Sequence, residues 1–176
     1  MNKILLIKLG ALGDVVRTTS ILRALKGEIT WVTLPVAMPL LENNPFVHKV
    51  LDIRKCADKK FPETFDLVLC LDEERPACEL ATRVKKKELV GTYLKDGRTL
   101  YTDSAAEWFD MSLISRFGRE AADRRKWENR KAYQEILFNM IGKKFKGEEY
   151  VLPVPPAKEK TGVIGLETRY GDRWVG

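Results

Sequence analysis

The fold class is decided at the start of the chain, where residues 3–34 read KILLIKLGALGDVVRTTSILRALKGEITWVTL. The nearly continuous apolar run from Lys3 to Lys8 is typical of a strand covered on both faces of a sheet. Apolar residues at helical spacing predict a helix over Gly13–Lys26, which ends at Gly27. A second strand is predicted over Ile29–Leu34. A strand, a helix and a strand in this order predict a parallel crossover unit.

The same alternation continues along the chain. Further strands are predicted over His48–Ile53, Asp66–Leu71 and Glu88–Gly91, and helices over Pro35–Asn44, Glu73–Lys86 and Trp127–Gly142. A turn at Asp96-Gly97 indicates a small excursion within residues 92–103. The alternation predicts an α/β fold with a Rossmann-like open parallel sheet and flanking helices.

Three segments are expected from the composition along the chain. Residues 1–150 are predicted to form the Rossmann-like domain, and residues 151–160 a Pro-rich linker. The last segment, residues 161–176, reads TGVIGLETRYGDRWVG and is predicted to be the first strand and loop of a second domain that the chain cuts off.

The bulk composition restricts the class of partner. The 176 residues carry a net charge of +6, so nucleic acid, an acidic membrane surface and a phosphorylated or carboxylated substrate all remain open. Neither a bilayer-spanning run nor a signal peptide is found, and a cytoplasmic location is expected. The cysteines Cys56, Cys70 and Cys78 have no CxxC spacing, so reduced thiols and no metal site are expected.

The loop from Gly10 to Asp14 lies between the first strand and the first helix, where open α/β sheets bind ligands. Its GxxGD pattern matches neither GxGxxG nor GxxxxGK[ST], so a dinucleotide site and a P-loop are disfavoured. Two compatible roles remain open for Asp14. It caps the helix, or it accepts a proton from a sugar hydroxyl as a general base.

The segment KILLIKLGALGDVVRTTSILRALK resembles the N-terminus of the ADP-heptose:lipopolysaccharide heptosyltransferases, glycosyltransferase family nine. Further segments are similar to that family in the same order, namely LLENNPFVHKVLDI, FDLVLCLDEE, KELVGTYLKDGRTLYTD, ENRKAYQEILFNMIG and VIGLETRYGDRWVG. The resemblance covers nearly the whole chain. It implies the N-terminal half of a GT-B glycosyltransferase, in which one Rossmann-like domain binds the acceptor and the other binds the nucleotide-sugar donor.

The resemblance also implies an inverting sugar transfer with Asp14 as the catalytic base. The donor substrate would be ADP-heptose, and neither a metal nor a cofactor is expected. Residues expected to bind the acceptor are Lys8, Gly10, Gly13, Arg54 and Asp72, and residues expected to bind the donor are Arg169 and Arg173. A solvated strand-end lysine is the alternative for Lys8, and a helix cap is the alternative for Asp72.

An anionic glycolipid is the acceptor that the resemblance implies, which adds peripheral contact with the inner membrane to the expectations. The basic run RFGREAADRRKWENRK, residues 116–131, is either a solvated face or a surface that docks on acidic lipid. The alternative function is a basic α/β binding module for nucleic acid or another anionic ligand, without catalysis of its own. The leading interpretation involves no nucleic acid.

Overall fold

The computed structural model describes residues 2–153 and is built around one six-stranded sheet. Its strands are β1 Lys3–Ile7, β2 Glu28–Thr33, β3 Val47–Asp52, β4 Phe65–Cys70, β5 Lys86–Lys95 and β6 Arg98–Tyr101. They are arranged in the order β3-β2-β1-β4-β5-β6. The first five strands are parallel, and β6 pairs antiparallel with β5. The predicted α/β class with a mostly parallel sheet is confirmed, and the architecture is compatible with a Rossmann-like fold.

Helices flank the sheet on both sides. The α-helices are α1 Leu12–Thr18, α2 Arg75–Arg83, α3 Ala106–Phe109, α4 Arg119–Glu128 and α5 Tyr133–Met140. Short 3-10 helices occupy Thr19–Arg23, Pro35–Leu40, Ile53–Lys55 and Asp103–Ala105. None of the helices within residues 2–153 combines the length and the apolar content that crossing a bilayer requires.

The two faces of the sheet carry separate hydrophobic cores. Successive side chains of a strand point to opposite faces, so Leu6 joins the core that includes residues of α1, α3 and α5. Leu5 and Ile7 join the other core, which includes residues of α2 and of the segment that follows β3. Both faces of β1 are therefore buried, and this explains its nearly continuous apolar sequence.

The chain changes direction across the sheet between β1 and β4. It leaves β1, adds β2 and β3 on one side, and then crosses to β4 and β5 on the other side. Ile7, the last residue of β1, pairs with Val32 of β2 and with Cys70 of β4. The carboxyl ends of β1 and β4 therefore form the topological switch point, where sheets of this kind bind ligands.

The predicted helix over Trp127–Gly142 is wrong as one continuous element. The structure has α4 and α5 in this region, with residues 129–132 between them. Asn129 ends α4 because its side-chain oxygen accepts a hydrogen bond from the backbone N–H of Lys131, which competes with the helix. Trp127 is 83% exposed and contributes nothing to the apolar face that begins at Tyr133.

The other predicted helices also change their bounds. The helix predicted over Glu73–Lys86 is α2, which begins at Arg75 with Pro76 in its first turn and ends at Arg83. The brief strand predicted over Glu88–Gly91 is the ten-residue β5, which forms a hairpin with β6 through the predicted Asp96-Gly97 turn.

The first helix is shorter than predicted, since its α-helical part ends at Thr18 and a 3-10 turn follows. The hydroxyls of Thr18, Thr19 and Ser20 each donate a hydrogen bond to a backbone carbonyl three or four residues earlier. Such side-chain bonds compete with the regular helical ladder, which accounts for the change of helix type.

The last described residues pack against the domain. Val151 is buried, donates its N–H to the Thr19 hydroxyl at 2.9 Å and accepts a hydrogen bond from the Asn44 amide at 2.7 Å. The strand predicted within residues 161–167, and the predicted donor-binding residues Arg169 and Arg173, lie outside the described residues.

Candidate functional site

A buried ion pair joins the two strands of the switch point. Lys8 directly follows β1, and its Nζ lies 2.6 Å from Oδ1 of Asp72, which follows β4. The backbone N–H of Leu9 donates to the other carboxylate oxygen of Asp72. Since the two side chains are only 8% and 7% exposed, the alternative of a solvated Lys8 is wrong. The alternative of Asp72 as a helix cap is wrong too, because the residue at the N-cap of α2 is Glu74.

Burial and charge act against each other within this pair. Burial disfavours the charged form of Lys8, but the carboxylate of Asp72 acts against burial and, together with Tyr133 and Asp14, raises the pKa of Lys8 above its ordinary value. Burial also raises the pKa of Asp72, and only part of that effect is offset by Lys8 and by the Leu9 N–H. The short contact and the second hydrogen bond to the carboxylate favour the charged pair.

Asp14 is the solvent-accessible carboxylate beside this pair. It lies in the first turn of α1, its side chain is 39% exposed, and Nη1 of Arg17 is 3.2 Å from its Oδ1. The predicted cap is wrong, because Ala11 is the N-cap residue and no side chain bonds to the free N–H groups there. The position in the first turn still suits an acid, which interacts favourably with the positive end of the helix dipole.

Tyr133 of α5, distant along the chain, contacts α1 and fixes its position. The Tyr133 hydroxyl lies 2.9 Å from Oγ1 of Thr18, and the Thr18 hydroxyl donates to the backbone carbonyl of Asp14 at 2.7 Å. Because Thr18 uses its proton on the carbonyl, Tyr133 donates to Thr18. Burial raises the pKa of Tyr133 and keeps it protonated. The guanidinium of Arg17 lies 4.5 Å from the centre of the Tyr133 ring.

Tyr133 and Arg17 are absent from the residues that the sequence predicts for the site. Arg17 has a local signal, since it lies three residues after Asp14 on the same helix. Tyr133 has none, because its contact with Thr18 bridges distant parts of the chain.

Gly13 leaves free space next to Asp14, and Gly10 has room for a Cβ atom. A Cβ atom at Gly13 would have no neighbour within 4 Å, and one at Gly10 would meet Leu34 Cδ1 at an ordinary 3.7 Å. Packing within the domain therefore does not require glycine at either position. Glycine in a helix costs stability relative to alanine, so the loop keeps open space at a cost.

The structure does not bring Arg54 to this group. Arg54 follows β3, the edge strand two places from β1, and its guanidinium binds the carboxylate of Asp52 through Nε and Nη2. This pairing lowers the pKa of Asp52. With strands about 4.8 Å apart, Arg54 belongs to the same edge of the sheet but to a different part of it.

The basic run over residues 116–131 bonds largely to its own chain. Arg116 contacts the Tyr101 hydroxyl and the carboxylates of Asp103 and Asp110. Further contacts join Arg119 to Asp123, Lys131 to Glu107, and Arg125 to the ring of Phe117. The three lysines at 85–87 lie beyond α2, and Lys86 and Lys87 belong to β5, so the helix predicted over Glu73–Lys86 does not reach them.

Comparison with known proteins leaves the family open, since no family model, curated protein or solved structure matches the chain. A partly exposed carboxylate lies at the switch point, next to open space, on a helix held by buried hydrogen bonds. Such a carboxylate can accept a proton from a ligand bound in the crevice.

Proposed function

We propose that this domain binds the acceptor in an inverting glycosyltransferase of the ADP-heptose:lipopolysaccharide heptosyltransferase type. The observation that supports this most is the placement of Asp14, whose partly exposed carboxylate lies at the carboxyl edge of β1 beside the β1–β4 switch point. The ordered resemblance along the chain supports the same assignment.

In this proposal, Asp14 is the general base. Its carboxylate takes the proton from an acceptor hydroxyl, the resulting oxygen attacks the anomeric carbon of the donor, and the nucleoside diphosphate leaves from the opposite face. The configuration at that carbon is inverted. Arg17 keeps the carboxylate in place at 3.2 Å, and because its side chain is 43% exposed, an anionic group of the acceptor can reach it.

The buried residues of the site hold this geometry in the proposal. The Lys8–Asp72 pair joins the ends of β1 and β4, and Tyr133 holds α1 through Thr18. Gly10 and Gly13 leave room for the sugar ring. A nucleotide-sugar donor would bind a second domain, to which residues 161–176 with Arg169 and Arg173 would belong. The acceptor, an anionic glycolipid, would bring the enzyme to the cytoplasmic face of the membrane.

A nucleic-acid or other anion-binding module remains the second interpretation of the basic sequence. The described contacts direct several cations of residues 116–131 toward acids and rings of the same chain. They provide no observation that favours this function over sugar transfer.

The proposal is tested by replacing Asp14 with asparagine in the protein made from the complete natural reading frame. Transfer from ADP-heptose to a lipopolysaccharide-core acceptor is followed by mass spectrometry of the product. Asp14→Asn is expected to lower kcat by about 10²–10⁴-fold, the usual contribution of a general base. Circular dichroism checks that the variant is folded.

The matched control is Asp96→Asn, which changes an exposed carboxylate in the turn between β5 and β6. Asp96 has a positive φ of 50°, which asparagine tolerates, so this variant should fold and keep full activity. Normal turnover of a folded Asp14→Asn enzyme would exclude Asp14 as the base. Absence of transfer by the unaltered protein would reject this choice of donor and acceptor.

A further inference from the structure

Two cysteines share one hydrogen-bond acceptor behind the candidate site. Cys70 is the last residue of β4 and Cys78 lies within α2, and both are fully buried. Each sulfur lies 3.7 Å from the backbone carbonyl oxygen of Asp72, and each thiol donates a hydrogen bond to that oxygen. The strand and the helix thus place a pair of thiols on one carbonyl group.

The surroundings hold these thiols in place. The hydroxyl of Thr92 lies 3.0 Å from the Cys70 sulfur and is also hydrogen-bonded to the carbonyl oxygen of Asp72. Gly91 is the register partner of Cys70, and a Cβ atom there would lie 1.8 Å from the Cys70 carbonyl oxygen. The backbone of β5 therefore packs too closely on Cys70 for any residue other than glycine at position 91.

The two thiols differ in acidity. A hydrogen bond from Cys70 to the thiolate of Cys78 lowers the pKa of Cys78 to about 7, whereas burial raises the pKa of Cys70 well above the ordinary value. The thiolate is the nucleophilic form of cysteine, so Cys78 is the more reactive of the pair.

Cys56 provides a contrast within the same chain. It is also buried, at 1% exposed, and burial raises its pKa. Cys56 lies on the segment after β3, and its thiol donates to the backbone carbonyl oxygen of Asp52, the last residue of β3, at 3.3 Å. Within residues 2–153, no second thiol donates to that carbonyl.

From this arrangement we infer that Cys70 and Cys78 form a reversible intramolecular disulfide when the protein reacts with a hydroperoxide. The Cys78 thiolate attacks one peroxide oxygen, the O–O bond breaks, and Cys78 becomes a sulfenic acid as the other oxygen leaves with a proton. The Cys70 sulfur then attacks the Cys78 sulfur. The S–O bond breaks, the S–S bond forms, and the Cys70 proton leaves with the hydroxide as water. Two thiols are oxidised by two electrons, and the peroxide is reduced by two.

This disulfide would form next to Asp72, a residue that organises the candidate site. The carbonyl of Asp72 receives the thiol hydrogen bonds, and its carboxylate binds Lys8 and the Leu9 N–H. Oxidation removes both S–H donors from that carbonyl. The inference rests on the β4–α2 contact alone and does not depend on the function proposed above.

The test uses the reduced 176-residue chain, treated with hydrogen peroxide under native conditions. Remaining thiols are alkylated after the peroxide is removed and the chain is unfolded, and the protein is then digested with trypsin. Cys70 and Cys78 fall within one tryptic peptide, residues 61–83, because the Arg75–Pro76 bond resists trypsin, and Cys56 falls in another. A second cut at Glu73 or Glu74 separates Cys70 from Cys78 and leaves two fragments joined only by the disulfide.

The expected result is a joint loss of alkylation at Cys70 and Cys78, with the peptide lighter by two hydrogens and restored by dithiothreitol. Cys56 should stay fully alkylated, and Cys56→Ser should leave the reaction unchanged. Because the Cys78 thiolate reacts, the rate should rise roughly tenfold between about pH 6 and about pH 8. Oxidation of Cys56 at the same rate, linkage between two chains, or linkage only after unfolding would overturn the inference.

Discussion

Charged residues are used in opposite ways at the β1–β4 switch point and in the basic segment around α4. At the switch point, Lys8 and Asp72 are almost completely buried and join two strands. In α4, the side chains of Arg119 and Asp123 are 84% and 71% exposed. They lie one helical turn apart, with Nε of Arg119 at 3.9 Å from Oδ2 of Asp123. The region with the highest density of positive charge is therefore the one in which single charges matter least to the fold. Topology, and not charge density, locates the candidate site.

The largest expected effect comes from removing one partner of each pair. Lys8→Met leaves the carboxylate of Asp72 buried without its cation, and we expect the free energy of unfolding to fall by about 3–5 kcal/mol. Arg119→Met removes an exposed cation and should leave that free energy nearly unchanged. Urea denaturation followed by circular dichroism measures both variants.

The double variant Lys8→Met/Asp72→Asn serves as the control for the buried pair. It removes both charges, so it should be more stable than Lys8→Met alone. If Lys8→Met is no more harmful than Arg119→Met, the contrast between the two regions does not hold.

A smaller effect of opposite sign is expected at Gly13. Alanine fits there, since no atom lies within 4 Å of the added Cβ, and it should raise the free energy of unfolding by about 0.5–1 kcal/mol. The same methyl group occupies space that the proposal assigns to the acceptor, so acceptor binding should weaken. Thermal unfolding and isothermal titration calorimetry measure the two effects separately.

The reciprocal change in α4, Ala121→Gly, should lower stability by a similar amount without changing acceptor binding. A Gly13→Ala protein that is more stable and binds the acceptor as well as before would show that this space is unused. That result would argue against acceptor binding in the space beside Gly13 and would leave the description of the fold unchanged.

The sequence predicts the sheet more accurately than the helices. The bounds of β1 to β4 agree with prediction to within one residue at each end, because each of these strands is a short run rich in apolar and β-branched residues. The bounds of the helices differ from prediction because side-chain hydrogen bonds to nearby backbone groups interrupt the regular helix. The hydroxyls of Thr18, Thr19 and Ser20 change the first helix, and the side chain of Asn129 ends α4.

The candidate site was predictable where its residues lie at or shortly after the carboxyl ends of strands. Lys8, Asp14 and Asp72 could be identified because parallel strands bring their carboxyl ends to one edge. Their environments could not be identified, since the burial of Lys8 depends on packing from both faces. The contact of Tyr133 with Thr18 and the shared acceptor of Cys70 and Cys78 depend on how α5 and α2 lie on the sheet, which no local pattern encodes.

The most direct test of the central claim is to map where an acidic sugar binds. The isotopically labelled chain is titrated with a soluble lipopolysaccharide-core oligosaccharide, and the backbone amide signals are followed by NMR. If the acceptor binds beside Asp14, we expect the signals of Leu9, Gly13, Asp14 and Thr18 to shift with one common Kd. The signals of residues 119–128 should stay unchanged. Shifts confined to residues 119–128, with none at the switch point, would contradict acceptor binding beside Asp14.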